Sequence, residues 1–355
     1  MASISSKLAA SLFVPMRDEG AGAAGVGSKK THKGYAMRAL VSIAALGLLA
    51  LPAVPAQAQA PAPAQNLPQW AYPVAPPPKP PDATKPIKLP GSTKEYTQAQ
   101  IDNRFSPPDW YPEDHPPLPD VVAHGRPPNG LACALCHLTS GGGHPESAGI
   151  SGLPVQYFMR QMAEFRSGIR KGMRGGIMIQ IAKAISDDDI KAAAQYFGSM
   201  NHPLWYKVVE TDTVPKSYLG NGAMRFPVEN GGTEPIGNRI IELPQNDLSA
   251  ESRDPRVGFV AHVPTGSVKK GEALVMTGGG KTAACTACHG ADLKGIAEVP
   301  PISGRSPMYI YRQLNDIKIG TREGLWTPLM KPVVANLTDD DMIAISAYLT
   351  TRPPF

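Results

Sequence analysis

The sequence predicts an all-α protein in which two similar helical domains are joined by a long irregular insertion. Three observations lead to this fold class. A cysteine-containing motif occurs twice, the residues after each copy carry helix-type spacing of apolar side chains, and neither copy contains the alternating pattern of a β-strand. At 355 residues the chain is long enough for two domains that each bury a core.

The two predicted domains form an internal repeat with a constant offset. Cys285 lies 152 residues after Cys133, and residues 150–197 align without a gap with residues 302–349. In that alignment 15 of 48 positions are identical, including three consecutive aspartates near the end of each copy. A gapless match of this length indicates a duplicated domain, so the two motifs should lie in similar folds.

Each copy has a readable helical plan. In the first copy one helix is predicted to begin near Leu153, and the last helix to begin after Ser186, because Ser-x-x-Asp is typical of a capping box. The last helix of the second copy begins in the same way after Thr338. A helix over 267–277 opens the second copy, and it has only a short counterpart around 120–125 in the first.

The four cysteines fall in two copies of the motif Cys-x-x-Cys-His. Two thiols at this spacing can each bond one vinyl group of the same porphyrin, and the adjoining His then lies under the iron. A disulfide, a redox-active pair or half of a zinc site are the alternatives, but none explains why His follows the second Cys both times. We therefore predict two covalently attached haem c groups. The residues involved are Cys133, Cys136 and His137 in the first copy and Cys285, Cys288 and His289 in the second.

A Met in each copy is the predicted second axial ligand of the iron. Met178 and Met330 share the offset of 152, and each follows the His of its motif by 41 residues, in what is predicted to be a loop. Met is a known axial ligand that raises the haem potential, although a Met on an apolar stripe is more often core filler. The remaining histidines of the mature chain have no counterpart in the other copy and are predicted to be local hydrogen-bonding residues: His115, His124, His144, His202 and His262.

Residues 1–58 have the pattern of a secretory signal peptide. Basic residues precede an apolar run over 39–51, and Ala56-Gln57-Ala58 fits the small-x-small cleavage rule, so the mature chain is predicted to begin at Gln59 in the periplasm. An uncleaved signal anchor is the alternative, and it is the only membrane contact expected. The mature chain then holds 29 basic and 28 acidic residues, a balance that gives no reason to expect a nucleic-acid partner.

The composition divides the mature chain into four segments. Residues 59–103 are Pro-rich at their start and are predicted to be a mostly disordered lead. The first helical domain covers 104–198 and the second covers 267–355. The insertion between them, 199–266, is rich in Gly, Pro and Asn but holds several apolar clusters, so we expect a packed, irregular strap that could keep the two haems apart.

With these motifs in place, the chain resembles the tandem class I cytochromes c of the dihaem c-four (c4) type over about 120–198 and 267–352. The resemblance rests on Cys-x-x-Cys-His, a Gly-x-x-x-x-Tyr-x-x-x-Gln helix, a Gly-x-Arg turn, the Met and the final Asp-rich helix. It implies two class I cytochrome c domains with the four Cys as thioether residues and His137, Met178, His289 and Met330 as axial ligands. One departure concerns a Pro whose carbonyl usually orients the axial His in this family. Pro300 and Pro301 provide it in the second copy, and the first copy lacks it.

The resemblance implies a single-electron carrier in the bacterial periplasm rather than an enzyme. Its expected partners are a dehydrogenase or quinol-oxidising complex as donor and a terminal oxidase or another cytochrome as acceptor. A dihaem peroxidase is the alternative from another class, since such an enzyme leaves one iron open to its substrate. A fixed cytochrome subunit of a periplasmic dehydrogenase is the second alternative.

The sequence also predicts an order of the two haem potentials. Gly175-Gly176-Ile177 precedes the Met of the first copy, whereas the bulkier Trp326-Thr327-Pro328-Leu329 precedes that of the second. If the bulkier segment excludes water better, it disfavours the charged ferric form, and the C-terminal haem should have the higher potential.

Overall fold

A computed structural model describes residues 67–74, 76–77, 82, 84–172 and 175–355. The predicted signal peptide lies outside these residues. No helix within the described part of the chain is both long and apolar enough to cross a membrane.

The segment ahead of the first domain is folded from residue 84 onward, where a disordered lead was expected. Strands β1 (Pro86–Lys88) and β2 (Glu95–Thr97) pair antiparallel, and helix α1 (Gln98–Ile101) follows with a capping box at Thr97. The side chains that hold this unit together are buried: Leu89, Ile101, Trp110 and Tyr111. Leu89 and Ile101 belong to the lead, and Trp110 and Tyr111 to the start of the first domain, so packing between the two orders part of this Pro-rich segment.

The first domain is helical, as predicted. Ser186 caps its last helix and forms a capping box with Asp189, which confirms the prediction for that position. The helices are α2 (Asp120–Ala123), α3 (Cys133–His137), α4 (Val155–Ser167), α5 (Gly175–Ala184) and α6 (Asp187–Gly198). Val121, Phe158 and Phe197 are among the buried side chains through which α2, α4 and α6 form one core.

The insertion contains regular strands, which corrects the expectation of an irregular strap. Its short elements are β3 (Tyr206–Glu210), β4 (Thr213–Pro215), β5 (Ser217–Leu219), β6 (Arg225–Pro227), β7 (Thr233–Pro235), β8 (Ile241–Pro244), α7 (Asp247–Glu251) and β9 (Phe259–Val263). β9 lies at the centre of a three-stranded sheet, parallel to β3 and antiparallel to β8. The other four strands form two antiparallel pairs, β4 with β7 and β5 with β6.

The second domain repeats the helices of the first. A capping box at Thr338 and Asp341 opens its last helix, again as predicted. Its helices are α8 (Ser267–Thr277), α9 (Thr286–His289), α10 (Pro307–Ile319), α11 (Thr327–Ala335) and α12 (Asp339–Thr351). The lead contributes to this domain too, because Ala71 and Tyr72 are buried in its core and Trp70 packs against Tyr311 at a ring-centroid distance of 4.6 Å.

The two domains meet directly at the turns that follow α4 and α10. Arg170 and Arg322, which occupy equivalent positions of the repeat, pair in an antiparallel β-bridge. The amides of Lys171 and Gly172 both donate to the carbonyl of Thr321, at 2.8 and 3.2 Å. The insertion therefore does not separate the two domains, which removes the reason for expecting the two haems to be kept apart.

Candidate haem sites

The first Cys-x-x-Cys-His motif forms the one-turn helix α3. Winding these five residues into a helix places Cys133, Cys136 and His137 along one edge, since residues three and four apart are neighbours on a helix. His137 Nδ1 lies 2.8 Å from the carbonyl oxygen of Ala148, and burial lowers the pKa of His137. A neutral imidazole that donates from Nδ1 keeps the lone pair of Nε2 for a metal. The histidine is thus held as an iron ligand would be.

The second motif has the same arrangement. Helix α9 begins directly after Cys285, and His289 Nδ1 lies 2.8 Å from the carbonyl oxygen of Pro300. Burial also lowers the pKa of His289. Ala148 and Pro300 are 152 residues apart, so equivalent backbone carbonyls orient the two histidines. The missing proline of the first copy therefore does not matter, because the contact is made by a backbone oxygen.

A cleft in the first domain brings the predicted haem residues together. Its lining includes Cys133, Cys136, His137 and Met178, and it holds about 1720 Å³ of space, counted with the solvent at its mouth. Most of the lining is apolar, including Leu135, Phe158, Phe165, Ile181 and Ile190. Two thiols, one neutral imidazole and one thioether in an apolar cleft are a donor set that fits haem c.

Both predicted Met ligands lie in helices, whereas the sequence led us to expect loops. Met178 belongs to α5 and Met330 to α11, and each is partly buried against the core of its domain. Gly175 and Gly176 begin α5, and Pro332 lies inside α11, and both residue types weaken the sequence signal of a helix. The repeat places the two Met in equivalent elements.

Met162 and His144 also line the first cleft, so geometry alone does not select Met178. Met162 is 6% exposed and lies on α4. At the equivalent positions of the second copy stand Leu314 and Ile296, neither of which can bind iron. The repeat therefore still favours Met178. Met173, the Met five residues before Met178, has Leu325 as its counterpart in the repeat and lies outside the described residues.

Other histidines are engaged away from the cleft. His202 Nδ1 lies 2.8 Å from Ser151 Oγ, and its ring stacks on that of Phe355. His115 Nε2 lies 3.1 Å from Asp109 Oδ1, and this hydrogen bond is the main cause that raises the pKa of His115. Neither residue is part of the lining of the first cleft, in agreement with their predicted structural roles.

Arginine and glutamine side chains from both domains form a polar wall of the first cleft. Arg170 donates to Gln161 Oε1 at 2.7 Å and across the boundary to Gln313 Oε1 at 3.1 Å. Arg322 does the reverse, donating to Gln313 Oε1 at 2.8 Å and to Gln161 Oε1 at 3.2 Å. All four side chains line the cleft. The repeat showed that these residues recur, but their reciprocal contacts depend on domain packing and were not predicted.

Two ion pairs across the domain boundary are also related by the repeat. Arg312 lies 2.8 Å from Glu146, and its equivalent Arg160 lies 2.6 Å from Glu298. The side chains of the first pair are 6% and 4% exposed, whereas those of the second are 14% and 42% exposed. Neither glutamate was predicted from the sequence to form an ion pair, although the two share the offset of 152.

The surroundings of the two motifs differ in exposure, although His137 is partly buried and His289 is buried. None of residues 130–152 is exposed, because the insertion covers this part of the first domain: Arg253 donates to the carbonyl oxygen of Leu135 at 2.7 Å, and Trp205 packs against Gly142. In the second domain Cys288 is exposed, and Leu329, beside Met330, is 71% exposed. The structure thus contradicts the premise that the bulkier segment shields the second site better.

This burial favours the opposite order of the two potentials from the one predicted from the sequence. Water exclusion disfavours the additional positive charge of a ferric haem, and Arg170, which lines the first cleft, acts in the same direction. We therefore expect the haem of the first domain to have the higher midpoint potential. A redox titration in which the Met178→His and Met330→His variants identify the two waves checks this order. A higher potential for the second-domain haem would contradict it.

Comparison with known proteins places these sites in context. The family described as Cytochrome c matches residues 268–353. The "Thiosulfate dehydrogenase electron acceptor" of Stutzerimonas stutzeri is 26% identical over 230 residues, which covers 63% of this chain and 80% of that protein. Cytochrome c-554(548) of Halomonas halodenitrificans is 34% identical over 73 residues, 20% of this chain and 88% of that protein. Cytochrome c4 of Azotobacter vinelandii is 34% identical over 84 residues, 22% of this chain and 40% of that protein.

Proposed function

The chain belongs to the cytochrome c family as a dihaem member of the cytochrome c4-like type, and from this premise we propose that it accepts single electrons from a periplasmic dehydrogenase. It is an electron-transfer protein and not an enzyme, with two haem c groups as its cofactors. The relative in S. stutzeri is named for accepting electrons from a thiosulfate dehydrogenase. A dehydrogenase is therefore the donor to test first, and a quinol-oxidising complex the second.

Each haem residue has a proposed role. Cys133 and Cys136 in the first domain, like Cys285 and Cys288 in the second, hold the porphyrin through thioether bonds. His137 with Met178, and His289 with Met330, are the axial ligands. When bound, the haem supplies an iron that changes between the ferric and ferrous states. The carbonyls of Ala148 and Pro300 keep both histidines in the tautomer that presents Nε2.

The observation that carries the proposal is the first cleft, which gathers two thiols, one imidazole and one thioether in an apolar lining. A His and a Met on the same iron leave no open position for peroxide, so this donor set supports a carrier over a peroxidase. The division into domains 104–198 and 267–355 is part of the proposal. Their direct contact at Arg170 and Arg322 supports electron transfer within the chain.

The test is reduction of the mature protein by its donor. We expect catalytic amounts of thiosulfate dehydrogenase with thiosulfate to reduce both haems of the oxidised, periplasmically expressed protein, and an oxidase or another cytochrome to reoxidise them. Thiosulfate without the enzyme is the control and should reduce neither haem. Rapid turnover of hydrogen peroxide by the same preparation, or failure of every periplasmic dehydrogenase tested to reduce it, would contradict the proposal.

A second candidate, a fixed subunit of such a dehydrogenase, is favoured by one observation. The insertion carries exposed apolar side chains, among them Leu204, Tyr218, Val228 and Leu248 at 75%, 48%, 42% and 50%. Exposed apolar groups are typical of interaction surfaces when they lie together, as Tyr218 on β5 and Val228 at the end of the paired strand β6 do. Copurification with a dehydrogenase in equal amounts at high salt would support the fixed subunit, and isolation of the cytochrome alone would support the free carrier.

A further inference from the structure

Glu242 is a buried acid that the haem sites do not use. It lies in β8 of the insertion and is 2% exposed. Its Oε1 accepts hydrogen bonds from Ser306 Oγ and from the amide of Met308, both at 2.8 Å. Its Oε2 is buried and has no hydrogen-bond partner among the described residues. A carboxylate oxygen that is buried without a hydrogen bond is poorly solvated, and a proton on that oxygen removes the unfavourable negative charge.

Burial raises the pKa of Glu242 to about 7, against the opposing effect of the hydrogen bonds from Met308 and Ser306. This side chain therefore gains or loses a proton near neutral pH, where an ordinary glutamate stays ionised.

The charged groups around Glu242 connect it to the first cleft. Arg312 and Glu146 both act on it electrostatically, and both line the cleft that holds Cys133, His137 and Met178. Arg312 and Glu146 form a buried ion pair, so their charges largely cancel. A change in the charge of Glu242 consequently changes the net charge beside the cleft, in a buried region where the effective dielectric constant is low.

The other titratable groups near Glu242 do not change their charge near neutral pH. Burial raises the pKa of Tyr206, which acts electrostatically on Glu242, and lowers that of His262 on the neighbouring strand β9, so both side chains are neutral near pH 7. Arg225 on β6, which packs against β8, stays charged because burial lowers its pKa only from a very high value. Glu242 is thus the group of this cluster whose charge changes near neutral pH.

We propose that Glu242 takes up a proton from solvent when the first-domain haem is reduced and releases it when that haem is oxidised. The inference rests on the proposed function, since it requires a haem that changes its charge. The electron removes one positive charge from the iron centre, and the proton on the carboxylate removes one negative charge nearby. The insertion occurs once in the chain, so Glu242 has no equivalent in the repeat.

The sign of the pH effect follows from this coupling. Well below pH 7 Glu242 is neutral in both redox states, and well above pH 7 it is ionised in both, where its charge favours the ferric haem. Reduction is coupled to proton uptake only between these limits. The midpoint potential of the first-domain haem is therefore highest at low pH, falls as pH rises through about 7 and levels off again. The potential of the second-domain haem should stay nearly constant over the same range.

The experiment compares Glu242→Gln with Glu229→Gln, which removes the same charge from an exposed position of the same insertion. The amide keeps the shape of the side chain but cannot titrate. We expect the pH dependence of one potential to disappear in the Glu242 variant and to persist in the Glu229 variant. In wild type the reduced-minus-oxidised infrared spectrum at pH 7 should contain the carbonyl stretch of a protonated carboxylic acid, and Glu242→Gln should lack it.

Potentials independent of pH in wild type, or no carboxylic acid band on reduction, would overturn the inference even if the variant failed to fold. Persistence of the pH effect in Glu242→Gln would assign the proton to another group. A failure of the proposed function would look different, because the protein would then show no pair of reversible one-electron waves at all.

Discussion

Replacing Met178 by histidine is expected to lower the midpoint potential of one haem substantially and to leave the other haem nearly unchanged. The physical reason is that a thioether stabilises ferrous iron relative to ferric iron, whereas an imidazole does not. Axial ligands set haem potentials over roughly 0.8 V, and we expect a drop of about a quarter of that range. Redox titration of the holoprotein by optical spectroscopy measures the effect.

The repeat supplies matched controls for this prediction. Met330→His should lower the potential of the other haem by a similar amount. Met162 lines the same cleft as Met178, but the second copy has no Met at the equivalent position. Met162→Leu should therefore leave both potentials nearly unchanged. A drop caused by Met162→Leu and not by Met178→His would show that the ligand of the first domain was assigned to the wrong helix.

The Arg312→Met variant is expected to be severely destabilised. Glu146 would remain buried without its partner, and breaking a buried ion pair in this way costs about 3–5 kcal/mol. Arg312 also donates to the carbonyl oxygens of Pro145 and Ala71, so the lead would lose one of its attachments to the second domain. Urea unfolding of the oxidised holoprotein, followed by circular dichroism, gives the free energy of unfolding.

Arg160→Met is the matched control, since Arg160 occupies the equivalent position of the first domain. Its partner Glu298 is 42% exposed, and such pairs contribute about 0–1 kcal/mol. Arg160 also stacks over Trp326 at 3.8 Å, which adds about 0.5–1 kcal/mol.

Glu146→Gln together with Arg312→Met should recover part of the lost stability. If Arg312→Met and Arg160→Met lowered the free energy of unfolding by the same amount, burial of the ion pair would not determine its contribution to stability.

The features that the sequence predicted well depend on local patterns. The capping boxes at Ser186 and Thr338 lie where Ser/Thr-x-x-Asp placed them, because these contacts involve residues three apart. The helix predicted over 267–277 is α8. The two Cys-x-x-Cys-His motifs and the duplicated Met also came from spacing and repetition, and their role as haem ligands stays a prediction.

The features that were missed depend on contacts between distant residues. β3 pairs in parallel with β9 across most of the insertion, and no local rule predicts which segments pair at that distance. The strand Phe259–Val263 alternates between buried and partly buried residues, but its sequence is apolar at all positions except His262, so the sequence carries no alternating signal. The composition of the segment around Trp70 and Tyr72 indicated disorder. Both side chains are ordered by contacts with the second domain, which composition cannot reveal.

The contacts at the domain boundary were partly predictable from the sequence and partly not. The offset of 152 relates Glu146 to Glu298 and Arg160 to Arg312, so the pairs could have been suspected from the repeat. That each glutamate binds the arginine of the other domain follows only from the way the two copies pack. The same packing determines that one pair is buried and the other partly exposed.

The ferric absorption spectrum of the intact wild-type protein tests the central claim most directly. Met-to-iron bonding gives a weak band near the red end of the spectrum, and its intensity can be expressed per haem once the two haem additions have been counted by intact mass. We predict a band for each of the two haems, in agreement with Met178 and Met330 as ligands. A band corresponding to one haem, or its absence, would contradict the assignment of a His and a Met to both irons.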